Sequence, residues 1–137
     1  GEEPVRIHDL LGHLDAVRSA RALFVRTGNG LLRGTDPEAY AGAHPWVHHE
    51  VPGFLCRENP ALRLFGIDTI SIAVPGEPEV GAEAHRAFLC RSPQIFLLED
   101  VDLSYDRLLE EPWILRIYPV VFDDLDGVPV VALAEFG

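Results

Sequence analysis

Apolar positions fall into short blocks separated by polar stretches rich in glycine and proline, and the spacing inside each block separates helix from strand. Leu10, Leu11, Leu14 and Val17 recur at helical intervals within residues 8–19, a helix weakened by Gly12. Residues 22–25 form a continuous apolar run that, with Arg26, reads as a buried strand stopped by Thr27-Gly28-Asn29-Gly30. A polar stretch with no clear period follows to about residue 47. Glu50–Glu58 then predicts a short helix with Val51, Phe54 and Leu55 on one side, and Pro52 is tolerated in its first turn. Residues 62–67 predict a second strand ending at Asp68, residues 80–89 a helix, and residues 95–98 a third strand ending at Glu99-Asp100. Ser104 is predicted to cap a short helix through Leu109. Residues 113–122 and 128–136 predict two long strands around Asp123-Asp124-Leu125-Asp126-Gly127, residues suited to a hairpin connection. The pattern as a whole predicts an α/β fold closed by a C-terminal antiparallel hairpin, with 1–137 as one domain.

Composition narrows the classes of function. With 47% hydrophobic and 24% charged residues, the chain is apolar enough to bury a core. Its formal net charge of −11 repels phosphate backbones and anionic lipid, which argues against nucleic-acid and membrane-surface roles. The residues following Gly1 show neither a basic nor an apolar segment of a signal peptide. Cys56 and Cys90 each end an apolar helical pattern and read as reduced, small hydrophobes, so the expected compartment is the cytoplasm. No methionine occurs, from which we expect that residue 1 is not a natural start.

Two acids, Asp68 and Glu99, close apolar strands, a position at a sheet rim where α/β folds tend to place their sites. Asp is also a common turn former there. His85, with Ala82 at i−3 and Phe88 and Leu89 at i+3 and i+4, lies on the inward stripe of its helix. A helix packed on the third strand brings His85 towards Glu99, and an imidazole with a carboxylate is a common partial ligand set for Zn²⁺ or Mn²⁺. Other candidates read as structural. Pro45 and Trp46 interrupt any helical face shared by His44 and His48, so these residues and His49 form an aromatic-rich loop. His8 and His13 are expected to face solvent, neither cysteine has a basic neighbour to activate it, and Gly28-x-Gly30 precedes no clear helix as a phosphate loop requires.

Four segments in series carry a family resemblance. Gly66-Ile67-Asp68-Thr69-Ile70-Ser71, Ala84-His85-Arg86-Ala87-Phe88-Leu89, Ile95-Phe96-Leu97-Leu98-Glu99-Asp100 and Asp126-Gly127-Val128-Pro129-Val130 resemble, in order and spacing, the cyclase family, which includes bacterial kynurenine formamidases and isatin hydrolases. Leu23-Phe24-Val25-Arg26-Thr27-Gly28 matches its preceding strand and turn, so the resemblance runs from about residue 20 to the C-terminus. It implies a swivelling β/β/α fold and metal-dependent hydrolysis of a small amide or lactam, an arylformamidase-like role in tryptophan catabolism. It also implies that His85 and Glu99 are metal ligands, for Zn or Mn, completing a set begun by an upstream His-x-x-x-His-x-Asp-x-x-x-His motif. That motif does not occur in these 137 residues, Asn29 stands where the family often has tryptophan, and Ala73 stands where it commonly has an acid. We therefore expect the C-terminal portion of a larger cyclase-like domain, with the remaining catalytic residues upstream. It should pair with that segment or form a homo-oligomer. The competing expectation is a non-catalytic binding or assembly domain that keeps the fold without the metal site.

Overall fold

The computed structural model describes residues 3–137, which form two compact units, one ending at Ser104 and the other spanning Tyr105–Gly137. The first is mixed α/β around a three-stranded parallel sheet in the order β1 (Ala22–Val25), β2 (Leu64–Ile67), β3 (Phe96–Leu98). Residues Val25↔Ile67 and Gly66↔Leu98 are in register, so the carboxyl ends of all three strands share one rim. The central strand β2 is the most buried of the three, as its neighbours on both sides require. Phe96 on β3, an edge strand, is 56% exposed.

The predicted N-terminal helix is two helices, α1 (Ile7–Leu11) and α2 (Leu14–Ser19), broken at Gly12 and His13. Their buried residues, Leu10 and Val17, belong to the predicted apolar stripe. The polar stretch after β1 holds a 3-10 helix, Asn29–Gly34, and α3 (Pro37–Gly42). Asp36 caps α3 by accepting a hydrogen bond from the Ala39 N–H, and Pro37 occupies its first turn, where no amide donor is missed. Helix α4 is Glu50–Glu58, with Val51, Phe54 and Leu55 buried as predicted. Helix α5, Pro78–Leu89, packs against β3 and α4 and buries Gly81, Ala84 and Phe88. The Phe88 ring meets Phe65 of β2 at 5.0 Å between centroids, at the centre of a core that also holds Val17, Leu55, Leu62, Ile67, Ile72 and Ile95.

Close approach in the sheet rests on one glycine. A Cβ at Gly66 would stand 2.3 Å from ring atoms of Phe24 on the neighbouring strand, so the Phe24 ring lies over the bare backbone of β2.

In the second unit a short helix, α6 (Arg107–Glu110), precedes an antiparallel hairpin of β4 (Trp113–Pro119) and β5 (Val130–Phe136). The predicted helix cap is corrected: Asp106, not Ser104, holds the N-cap position, while the Ser104 N–H is taken by the Asp102 carboxylate. The strands are also shorter than predicted, because the ladder stops where Pro119 faces Val130. The register gives the ribbon two unlike faces. One is wholly apolar, pairing Trp113 with Phe136, Leu115 with Ala134, Ile117 with Ala132 and Pro119 with Val130. The other pairs Ile114 with Glu135, Arg116 with Leu133 and Tyr118 with Val131, and it carries the Arg116–Glu135 ion pair. Tyr105 and Arg107 both pack on the Phe136 ring. No helix among the described residues is long and apolar enough to cross a membrane.

We expect Gly66→Ala to destabilise the chain by about 1–3 kcal/mol, the usual range for forced overpacking. Chemical denaturation of the variant checks this, and a second substitution, Phe24→Leu, should recover part of the loss by removing the ring.

Candidate functional site

Three acids gather at the carboxyl rim of the parallel sheet, and each is held differently. Asp68 leaves β2 and is 2% exposed. Its Oδ1 accepts hydrogen bonds from the Thr27 N–H (2.8 Å) and Thr27 hydroxyl (2.7 Å), and its Oδ2 accepts one from the Gly28 N–H (2.9 Å). Gly28 has φ +87°, a conformation few other residues adopt readily. This acid therefore fastens the turn after β1 to the end of β2, the structural role that turn-forming Asp suggested.

Glu99 leaves β3 among three donors. Its Oε1 accepts from the Ile72 N–H at 2.7 Å and the Ser71 hydroxyl at 3.2 Å, and lies 3.1 Å from His85 Nε2. His85 comes from α5, and its Nδ1 lies 3.0 Å from the Gly81 carbonyl one turn earlier. The helix comes this close because Gly81 has no side chain: a Cβ there would stand 2.5 Å from the Ala73 Cβ. The structure thus brings together the histidine and the acid singled out from the sequence, fourteen residues apart.

The geometry constrains the proton count. A carbonyl facing Nδ1 needs a proton on that nitrogen and a carboxylate facing Nε2 needs one there, so the ring satisfies both as an imidazolium or one of them as a single neutral tautomer. Two donors about 2.1 Å from one tetrahedral ion lie about 3.4 Å apart, whereas 3.1 Å is an ordinary direct hydrogen-bond distance. Among the described residues no group of three or more His, Cys, Asp or Glu side chains gathers to hold an ion. Zinc sites use three or four protein donors, so the residues fit part of a metal site and not a whole one.

Burial, the largest influence on Glu99, pushes its carboxyl up. The hydrogen bond from His85, the Ile72 N–H, the His85 charge and the Ser71 hydroxyl together outweigh burial and hold it below the usual carboxylate range.

The third acid, Asp100, was placed by sequence only beside Glu99. It has φ +60°, an uncommon backbone state for a residue with a side chain. Its carboxylate accepts from the Tyr40 hydroxyl and from Arg33 Nη2, which also reaches the Asp100 carbonyl at 2.7 Å. Burial pushes the Tyr40 phenol up, and Asp100 adds to this more than Arg33 offsets. Neither Arg33 nor Tyr40 was found by sequence reasoning. They lie in the stretch without periodicity, and only the Glu99-Asp100 doublet marked the place.

The remaining candidates are separate. His44 is 4% exposed, with Nδ1 3.0 Å from the Pro45 carbonyl. His48 Nδ1 accepts from the Glu50 N–H at 3.4 Å at the start of α4, and its ring lies 4.3 Å from that of His49. Burial, His49 and Arg6 push the His48 imidazole down against the pull of Glu50, favouring the neutral ring that accepts this bond. His8 and His13 are exposed, as expected. Cys56 is half-buried and Cys90 is exposed at the end of α5; both are free thiols.

No family model, no curated protein and no solved structure matches this chain.

Because its folded-state value is depressed, Glu99 contributes stability above its unfolded value, near pH 4.3, and loses it as pH falls through the folded one. Urea unfolding at a series of pH values should show this acid limb in the wild type and a flatter one in Glu99→Gln. At neutral pH we expect that variant to lose about 1–3 kcal/mol, the scale for a buried hydrogen-bonded charge deprived of its partner.

Proposed function

We propose that this chain is the downstream part of a metal-dependent hydrolase of the cyclase type, with a swivelling β/β/α architecture, acting on a small amide or lactam. In this reading His85 and Glu99 donate to a divalent ion, Zn or Mn, and the other donors come from an upstream segment or a second polypeptide. The observation that carries it is the approach of His85 Nε2 to Glu99 Oε1 at 3.1 Å, at a sheet rim where strand-end acids collect. The order of the resembling segments supports it, since the family's downstream histidine and glutamate match these two residues. A bound ion would supply Lewis acidity towards water and the substrate carbonyl.

The chain's own residues prepare the seat. Gly81 lets α5 approach the loop, and its carbonyl fixes the His85 ring by accepting from Nδ1–H, which leaves Nε2 as the ligating nitrogen. Ser71 and the Ile72 N–H orient the Glu99 carboxylate and favour its charged form. The substrate in this reading is a small molecule, and the net charge of −11 disfavours nucleic acid.

A second reading has its own support. With Ser71, Ile72 and His85 all on Oε1, Glu99 already serves as a latch between β3, the loop after β2 and α5, which is what a non-catalytic assembly domain retaining the fold would need.

Metal analysis separates the two. In the complete polypeptide carrying this segment, the hydrolase reading expects bound Zn²⁺ or Mn²⁺ and turnover of N-formylkynurenine or isatin. His85→Ala and Glu99→Gln should each lower metal affinity at least about tenfold, the effect of losing a ligand or its support. Unchanged metal content with only a loss of stability would establish the latch.

A further inference from the structure

We propose that the outer edge of β5 pairs with the β5 of a second copy of this chain, antiparallel about a two-fold axis at Leu133, joining two hairpins into one four-stranded sheet. Among the described residues β5 is hydrogen-bonded to β4 on one side only. Natural proteins blunt such edges with proline, lysine, a bulge or a very short strand. Strand β5 is seven residues long, contains neither proline nor lysine, and keeps an unbroken register with β4 from Phe136 to Val130. Its one charge, Glu135, is engaged by Arg116 of β4. The outer edge of β4 is different: Pro119 stands within that strand and removes an amide donor, whereas the proline beside β5, Pro129, lies before the strand begins.

The ribbon itself calls for more strands. A two-stranded hairpin is marginal alone, and three or more strands with an apolar face are needed for stability. Of the sixteen large apolar side chains that stand exposed among the described residues, ten lie in Tyr105–Gly137. Ile114, Tyr118, Val131 and Leu133, each more than half exposed, share one ribbon face.

Charge selects the occupant. Over most of its surface a chain of net charge −11 repels its own copies and any acidic partner. The two strands carry one arginine and one glutamate, so they are neutral where the rest is not. The sequence of β5 also fits itself. Antiparallel about Leu133, leucine faces leucine, Ala132 faces Ala134, Val131 faces Glu135 and Val130 faces Phe136. No like charges oppose across the axis. The contact is isologous and closes on itself, leaving the two blunted β4 strands as the new edges.

Analytical ultracentrifugation of the full chain at micromolar concentration should give a dimer. Leu133→Lys sets two ammonium groups against each other across the axis and should raise the dimer dissociation constant at least about tenfold. Its far-ultraviolet circular dichroism should stay unchanged, because the position is half exposed. In a Cys56→Ala, Cys90→Ser background, Leu133→Cys should form a disulfide-linked dimer on mild oxidation, much faster than the exposed control Leu109→Cys. A monomeric wild type overturns the proposal, as does a Leu133→Lys chain that stays dimeric, or cross-linking no faster than the control.

Discussion

A carboxylate at the end of a short strand must find donors, and Glu99 finds three of them on two other pieces of chain. The main-chain amide of Ile72 and the hydroxyl of Ser71 belong to the loop after β2, while the imidazole of His85 belongs to α5. One oxygen atom thus joins the carboxyl end of the sheet, the loop that crosses it and the helix that covers it. The loop is held a second time through main-chain bonds, from Asp100 N–H to the Thr69 carbonyl and from Val101 N–H to the Ile67 carbonyl. The helix is admitted by the absence of a side chain at Gly81. Remove the charge from this acid and the rim loses the point on which its parts agree.

Much of this was legible from spacing. Helix α4 coincides with its prediction because Val51, Phe54 and Leu55 set a clear period and Glu50 and Glu58 bound it. The three parallel strands were visible as apolar runs ending in turn residues, and their carboxyl-end acids were visible with them. Helix α3 was missed because its only large buried residue is Tyr40; a signal lay instead in Asp36-Pro37, a cap followed by a first-turn proline. The hairpin strands were drawn too long because Val120, Val121 and Phe122 continue the apolar run while standing exposed beyond Pro119.

The candidate site divides along the same line. His85 and Glu99 could be paired in advance, since a helix face and a strand end have predictable directions. Arg33 and Tyr40 could not: they reach Asp100 across sixty-odd residues of chain, and the contact depends on a left-handed backbone at Asp100 that no spacing announces. Successive carboxylates at one strand end therefore turn to unrelated partners, Glu99 to the helix side and Asp100 to the segment after β1.

The turn at Thr27 and Gly28 has a consequence of its own. Its amides converge as they do in loops that cradle phosphate, but the anion they hold is Asp68, supplied by the polypeptide and shut away from water. Any descendant of this sequence that came to grip a phosphate here would first have to evict its own aspartate, and with it the tie between two strands.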